Sequence, residues 1–106
     1  MSSKWRRFEV LLPLRFNDGR DVPEEWVAEP VLEIVEHFGA ASYETQRVEG
    51  HWRDGAVLYK DNLVRLFVDV PDSDRNRKWM KQFKNRWKVR LEQLELWMVS
   101  YPVQVE

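Results

Sequence analysis

Residues Asp61 to Pro71 read D-N-L-V-R-L-F-V-D-V-P, and this is the stretch whose reading decides the fold. Leu63, Val64, Leu66, Phe67, Val68 and Val70 form the longest dense β-branched and aromatic run, interrupted only by Arg65 and Asp69. A run of this kind fits a strand covered on at least one face, so it reads as the central strand. Upstream of it, Ala41 to Trp52 is strand-like but wetter, Arg53-Asp54-Gly55 is a turn, and Ala56 to Tyr59 leads back into the central strand. Residues 41 to 70 therefore read as one long hairpin.

Downstream, Asp72-Ser73-Asp74 supplies capping oxygens for a helix over about Arg75 to Glu92. Trp79, Met80, Phe83, Trp87 and Leu91 fall within one stripe when each residue turns the helix by about 100°. Leu94 to Val105 returns to strand character, with Leu96, Met98 and Ser100 opposite Trp97, Val99 and Tyr101, and Pro102 points to an edge position.

At the other end, Phe8 to Phe16 alternates, with Phe8, Val10, Leu12, Leu14 and Phe16 on one face. Pro13 cannot donate to a ladder, so a bulge or one-sided pairing is expected there. The strand stops at the turn signal Asn17-Asp18-Gly19. A first helix follows over Pro23 to Phe38, opened by Pro23, Glu24 and Glu25 and stopped by Gly39. Pro30 is expected to kink it or to split off its first turn.

The order strand, helix, strand, strand, helix, strand implies an α+β domain of the ferredoxin-like split β-α-β sandwich type, an antiparallel sheet with two helices on one face. A single domain spanning residues 1–106 is expected, with 1–6 flexible. One sheet face is then uncovered, and Leu11, Phe67 and Trp97 are candidates for it. An uncovered face in a chain with six Trp and 13% aromatic residues leads to the expectation of a homodimer or higher homo-oligomer.

Net charge is only −1 although 33% of residues are charged, so global charge draws neither nucleic acid nor membrane. The absence of cysteine excludes disulfides, thiolate catalysis and thiolate-bound metals. The start, M-S-S-K-W-R-R, is basic without an apolar core, and no apolar run approaches the ~20 residues that span a bilayer, so a cytoplasmic protein is expected.

Charge is nevertheless segregated. Between Asp18 and Glu49 there are nine carboxylates against Arg20 and Arg47, whereas Arg77, Lys81, Lys84 and Lys88 form a basic line on the second helix with Arg75, Lys78, Arg86 and Arg90 beside it. Such a line suits phosphates, a complementary protein surface, or simply solvent. The stretch G-H-W-R-D-G (50–55) is the most site-like: Tyr43, His51, Trp52, Arg53 and Arg65 are the ligand-binding candidates, His51 as base and Arg53 as anion holder, set against a solvated turn. His37 ends the first helix, where the dipole favours it. No ligand-spaced metal motif, phosphate loop or nucleophile elbow occurs, so no metal, cofactor or catalytic residue is assigned.

F-E-V-L-L-P-L-R-F-N-D-G-R (8–20), G-H-W-R-D-G (50–55), L-V-R-L-F-V-D-V-P-D (63–72) and Y-P-V-Q-V (101–105) resemble a group of small bacterial α+β proteins of about this length. That resemblance implies the fold and carries no activity. Three readings follow: a non-enzymatic oligomeric module that contacts itself and protein partners, a small ferredoxin-like enzyme or small-ligand binder, and a nucleic-acid binder acting through the basic helix.

Overall fold

The computed structural model describes residues 4–106. Among these, β1 (Trp5–Pro13), α1 (Glu24–Phe38), β2 (Ser42–Tyr43), β3 (Val48–Asp54), β4 (Val57–Pro71), α2 (Asp74–Arg90) and β5 (Met98–Val103) follow one another. β4 pairs antiparallel with β1, β1 pairs antiparallel with β5, and β2 and β3 both lie antiparallel on the other edge of β4. This is the ferredoxin-like order, the expected 41–70 hairpin forming one side of the sheet.

Alternation along the two central strands decides which face is covered. Phe8, Val10 and Leu12 of β1 meet Val68, Leu66 and Val64 of β4, and all six are buried. Against them pack Val27, Pro30 and Ile34 of α1 and Met80, Phe83 and Trp87 of α2, with Leu91 and Leu96 sealing one end. The opposite, odd-numbered face of β1 and β4 carries no helix.

Pro13 shows the expected one-sided pairing. It is in register with Leu63 on β4, while pairing with β5 stops at Val10 and the last backbone bond on that side is from Leu11 N–H to Trp97 C=O (3.0 Å). Leu14 N–H turns back to Asn62 C=O (2.9 Å), so the proline nitrogen points where no strand runs. α2 starts as the sequence implies, Ser73 accepting a hydrogen bond from Asn76 N–H (3.1 Å). At the end of α1, Gly39 adopts φ 88° and donates to Val35 C=O (2.7 Å), a left-handed stop that favours glycine.

Four expectations are corrected. β1 runs Trp5–Pro13, not Phe8–Phe16, because Phe16 belongs to a tight turn in which it accepts from Gly19 N–H and donates to Arg20 C=O. Of the start expected to be flexible, Trp5 and Arg6 are already paired with Pro71 and Val70, and residues 1–3 lie outside the described residues. No first turn splits off α1 at Pro30: the ring removes one helical donor but is itself fully buried, so core packing offsets the lost bond. The stretch 41–52 is two strands, broken at 44–47, where Glu44 N–H bonds Arg65 C=O and the Glu44 carboxylate turns to the Arg65 guanidinium (3.1 Å).

The register also creates a projecting arm. β1 covers β4 only from Leu63 to Pro71, whereas β3 covers it from Val57 to Leu63, so residues 48–62 leave the sheet as a two-stranded ribbon. At about 3.4 Å per residue it reaches roughly 20 Å beyond the core, consistent with extents of 50 × 29 × 24 Å. Its two-residue turn, Gly55-Ala56, needs the left-handed φ of 61° that Gly55 supplies.

Phe83 is fully buried where both helices meet the sheet. Phe83→Ala is expected to lower unfolding free energy by about 3–5 kcal/mol, read from urea denaturation. A loss under about 1 kcal/mol would show that this junction is not the packing centre.

Candidate functional site

Two surfaces remain after the core is accounted for. The first is the uncovered sheet face, built from the odd-numbered residues of β1 and β4 and their partners on β5. Arg7 is paired to Asp69 by two hydrogen bonds (2.8 and 2.9 Å) and lies over the Phe67 ring at 4.8 Å. Arg65 bonds Glu44 (3.1 Å) and approaches Glu9 (3.9 Å), and Tyr101 O–H donates to Glu9. The Asp69 carboxylate holds the Arg7 guanidinium firmly charged, and the hydrogen bond to Glu9 raises the Tyr101 hydroxyl. Each of these charged groups thus has a partner of opposite sign within the chain, Glu9 and Glu44 sharing Arg65.

Around this paired network lie Leu11, Leu63, Phe67, Trp97 and Val99, so the three candidates for the face, Leu11, Phe67 and Trp97, all sit on it. Trp97 is 64% exposed. At the root of the arm, Trp52 stacks on Tyr59 (4.3 Å between centroids) and donates to Asp61 (2.6 Å), bordering a small cleft of about 160 Å³ with Leu11, Leu63 and Trp97. Further out, Val57 and Leu58 are 53% and 62% exposed at the tip.

The second surface is a cleft of about 710 Å³ on the helix side. It opens because β2 is two residues long and the sheet edge is broken at 44–47, leaving Glu24, Ala28, Val31 and Leu32 of α1 without a strand beneath them. Leu14 and Val22 form its inner wall, and Tyr43, Arg47 and Asn62 face them. Burial and the nearby negative charge of Glu24 both raise the Tyr43 hydroxyl, so it remains a protonated donor near neutrality.

The residues singled out from sequence do not form one constellation. Tyr43 lines the large cleft and Trp52 the small one, Arg65 belongs to the open-face network, and Arg53 and His51 are exposed along the arm. His51 lies 3.2 Å from Glu49, which Lys60 also approaches at 3.0 Å. Sequence reading missed Glu24, Arg47 and Asn62. The available signal was the shoulder of α1 at Glu24, Ala28 and Leu32, beside the apolar positions Val31 and Val35.

Half of the eight cations on the basic helix are matched within the chain. Arg86 bonds Glu33 (2.5 Å), Arg90 bonds Glu29 (2.8 Å), Lys84 bonds Glu95 (3.0 Å) and Arg77 bonds Asp72 (2.9 Å). Of the line of four, Lys81 and Lys88 are left without an ion pair among the described residues. Two of these pairs, Arg86–Glu33 and Arg90–Glu29, join the basic helix to the acidic α1 within the same molecule. Trp87 Nε1–H also donates to Glu33 (2.9 Å), and His37 stacks on Trp79 at 4.1 Å. Among the described residues no group of three metal-ligating side chains gathers, and no helix is long and apolar enough to cross a membrane.

With this geometry the chain can be set beside known proteins. It shares its fold with phage SAM lyase and CutA1. A phage SAM lyase in complex with S-methyl-5'-thioadenosine superimposes with a TM-score of 0.71 at 12% identity, over 99% of this chain and 93% of that one. CutA1 from Oryza sativa gives 0.66 at 9% identity (99% and 84%), and the divalent cation tolerance protein CutA1 from Thermus thermophilus gives 0.65 at 13% identity (96% and 86%). At such identities the likeness establishes the fold alone. No protein-family model and no curated protein matches the sequence.

Two measurements follow from these charges. Glu33→Ala removes the acceptor of the buried Trp87 indole and a partner of Arg86, and is expected to cost roughly 1–3 kcal/mol in chemical denaturation; an unchanged midpoint would show that water replaces the carboxylate. Asp72, held between Arg77 and Arg6 (3.2 Å), has its carboxyl pulled below the usual range, chiefly by the hydrogen bond from Arg77. A depressed carboxyl stabilises the fold above its unfolded value, about 4, and that contribution disappears as pH falls through the lower folded value. Asp72→Asn is expected to flatten the fall in Tm between about pH 5 and 2 relative to wild type, and an identical slope would contradict this assignment.

Proposed function

We propose that the protein is a self-associating interaction module, whose copies join through the uncovered sheet face and the β3–β4 arm. The observation that carries this reading is the arm itself: a two-stranded ribbon leaving the core with Val57 and Leu58 exposed at its tip. An isolated ribbon of two strands is marginally stable in water and gains most by lying on another surface. Its free backbone edges also invite strand pairing.

A second copy fits that role better than a charged partner does. On the open face Arg7 and Arg65 offset two of the three carboxylates Asp69, Glu9 and Glu44, so an identical face approaches against only a small residual repulsion. The apolar residues around the network supply the area to be buried, at roughly 25 cal/mol per Å². Phage SAM lyase and CutA1 place this same fold in proteins named for a lyase activity and for divalent cation tolerance. Those names extend the range of roles the fold supports, and self-association is compatible with either.

A second reading, binding of a small ligand, is favoured by the 710 Å³ cleft beneath α1, a size within the usual range of ligand sites. It lies on the helix side and leaves the proposed interface free.

Light scattering coupled to size exclusion is expected to show wild type as an assembly larger than 12.9 kDa with a mass unaffected by high salt, because the interface is apolar. The double substitution Val57→Asp with Leu58→Asp is expected to give monomer with unchanged circular dichroism, since both positions are exposed. A monomeric wild type at high micromolar concentration would refute the proposal.

A further inference from the structure

The charges around the 710 Å³ cleft are unevenly matched. Arg15 and Asp21 pair with each other (3.3 Å) at its entrance. Glu24 and Arg47, which line the same cleft, have no ion pair among the described residues, and neither the Tyr43 hydroxyl nor the Asn62 side-chain amide has a hydrogen-bond partner among them. One carboxylate, one guanidinium, one phenol donor and one amide thus face a wall of Leu14, Val22 and Val31.

This inference rests on the small-ligand reading and names the ligand. A ligand seated against that wall lies beside both charged groups, and each charge-assisted hydrogen bond it makes to them adds to its apolar burial. A ligand with one charge gains only one such bond. A neutral ligand gains neither. We propose that the cleft binds a small apolar zwitterion, an α-amino acid or dipeptide with a bulky apolar side chain. Its carboxylate is held by the Arg47 guanidinium, the group best suited to paired hydrogen bonds with a carboxylate, and its ammonium by Glu24. Tyr43 O–H and the Asn62 amide take the remaining acceptor and donor positions, and the side chain lies on the apolar face of α1 at Val31 and Leu32.

The test is calorimetric titration of the full chain with L-phenylalanine and the dipeptide Leu-Phe. Alongside run 3-phenylpropionate, phenethylamine and N-acetylphenylalanine amide, which keep the ring but lose one charge or both. The expected result is saturable binding of at least one zwitterion, at least tenfold weaker binding of all three analogues, and at least tenfold loss in both Glu24→Gln and Arg47→Gln. These two residues are exposed, so the variants should keep the wild-type circular dichroism. Whether the amino acid or the dipeptide binds more tightly identifies the source. Equal binding of phenylpropionate or of the neutral amide would overturn the zwitterion assignment while leaving a ligand cleft in place. No heat with any of the five compounds would overturn both this inference and the small-ligand reading.

Discussion

The antiparallel ladder between β1 and β4 is the constraint on which the rest of the molecule depends. Its register, from Trp5 opposite Pro71 to Pro13 opposite Leu63, puts Phe8, Val10, Leu12, Val64, Leu66 and Val68 on one face. That face is what the two helices cover. A slip of one residue would turn these side chains outward and bring Arg7, Asp69, Glu9 and Arg65 under the helices. The burial of six apolar side chains against four desolvated charges fixes the register. Pro13, with no donor to offer β5, marks where β1 ends.

Everything functional in this account follows from what that ladder leaves uncovered. β4 is longer than β1, so its first residues and β3 leave the core as an arm. β2 is short and the edge is broken at 44–47, so α1 overhangs a cleft. The odd-numbered face has no helix, so its charges find partners among themselves and its apolar residues stay half-exposed. The helix layer is cross-linked by two ion pairs: Glu29 and Glu33 of α1 hold Arg90 and Arg86 of α2. An acidic segment and a basic helix that suggest an external partner are, in the folded chain, joined to each other at two points.

Much of the fold was legible because it depends on local pattern. The run 63–70, the turn signal at 17–19, Gly55, Gly39 and Ser73 each act within a few residues, whereas the side taken by the candidates Leu11, Phe67 and Trp97 is set by the pairing between strands. What could not be read depends on distance. Whether Pro30 breaks α1 is decided by the core against which its ring packs. That the hairpin projects beyond the sheet is set by the offset between two ladders on β4, which no single strand's composition records. The candidates Tyr43, Trp52 and Arg65 are separated into a cleft, the arm root and the open face by register: Tyr43 lies opposite Leu66 on the helix side, Trp52 opposite Tyr59 on the arm, and Arg65 on the other face of β4. Arg47 and Glu24 became site candidates only when the break at 44–47 placed them at one cleft.

The central claim is that the arm and the open face are buried against another copy of the chain. Amide hydrogen exchange of residues 48–62, followed by mass spectrometry over a wide range of protein concentration, tests it most directly. The account predicts strong protection of the arm at high concentration that is lost on dilution, while amides in the β1–β4 ladder keep theirs. Arm exchange that is fast and independent of concentration would contradict it.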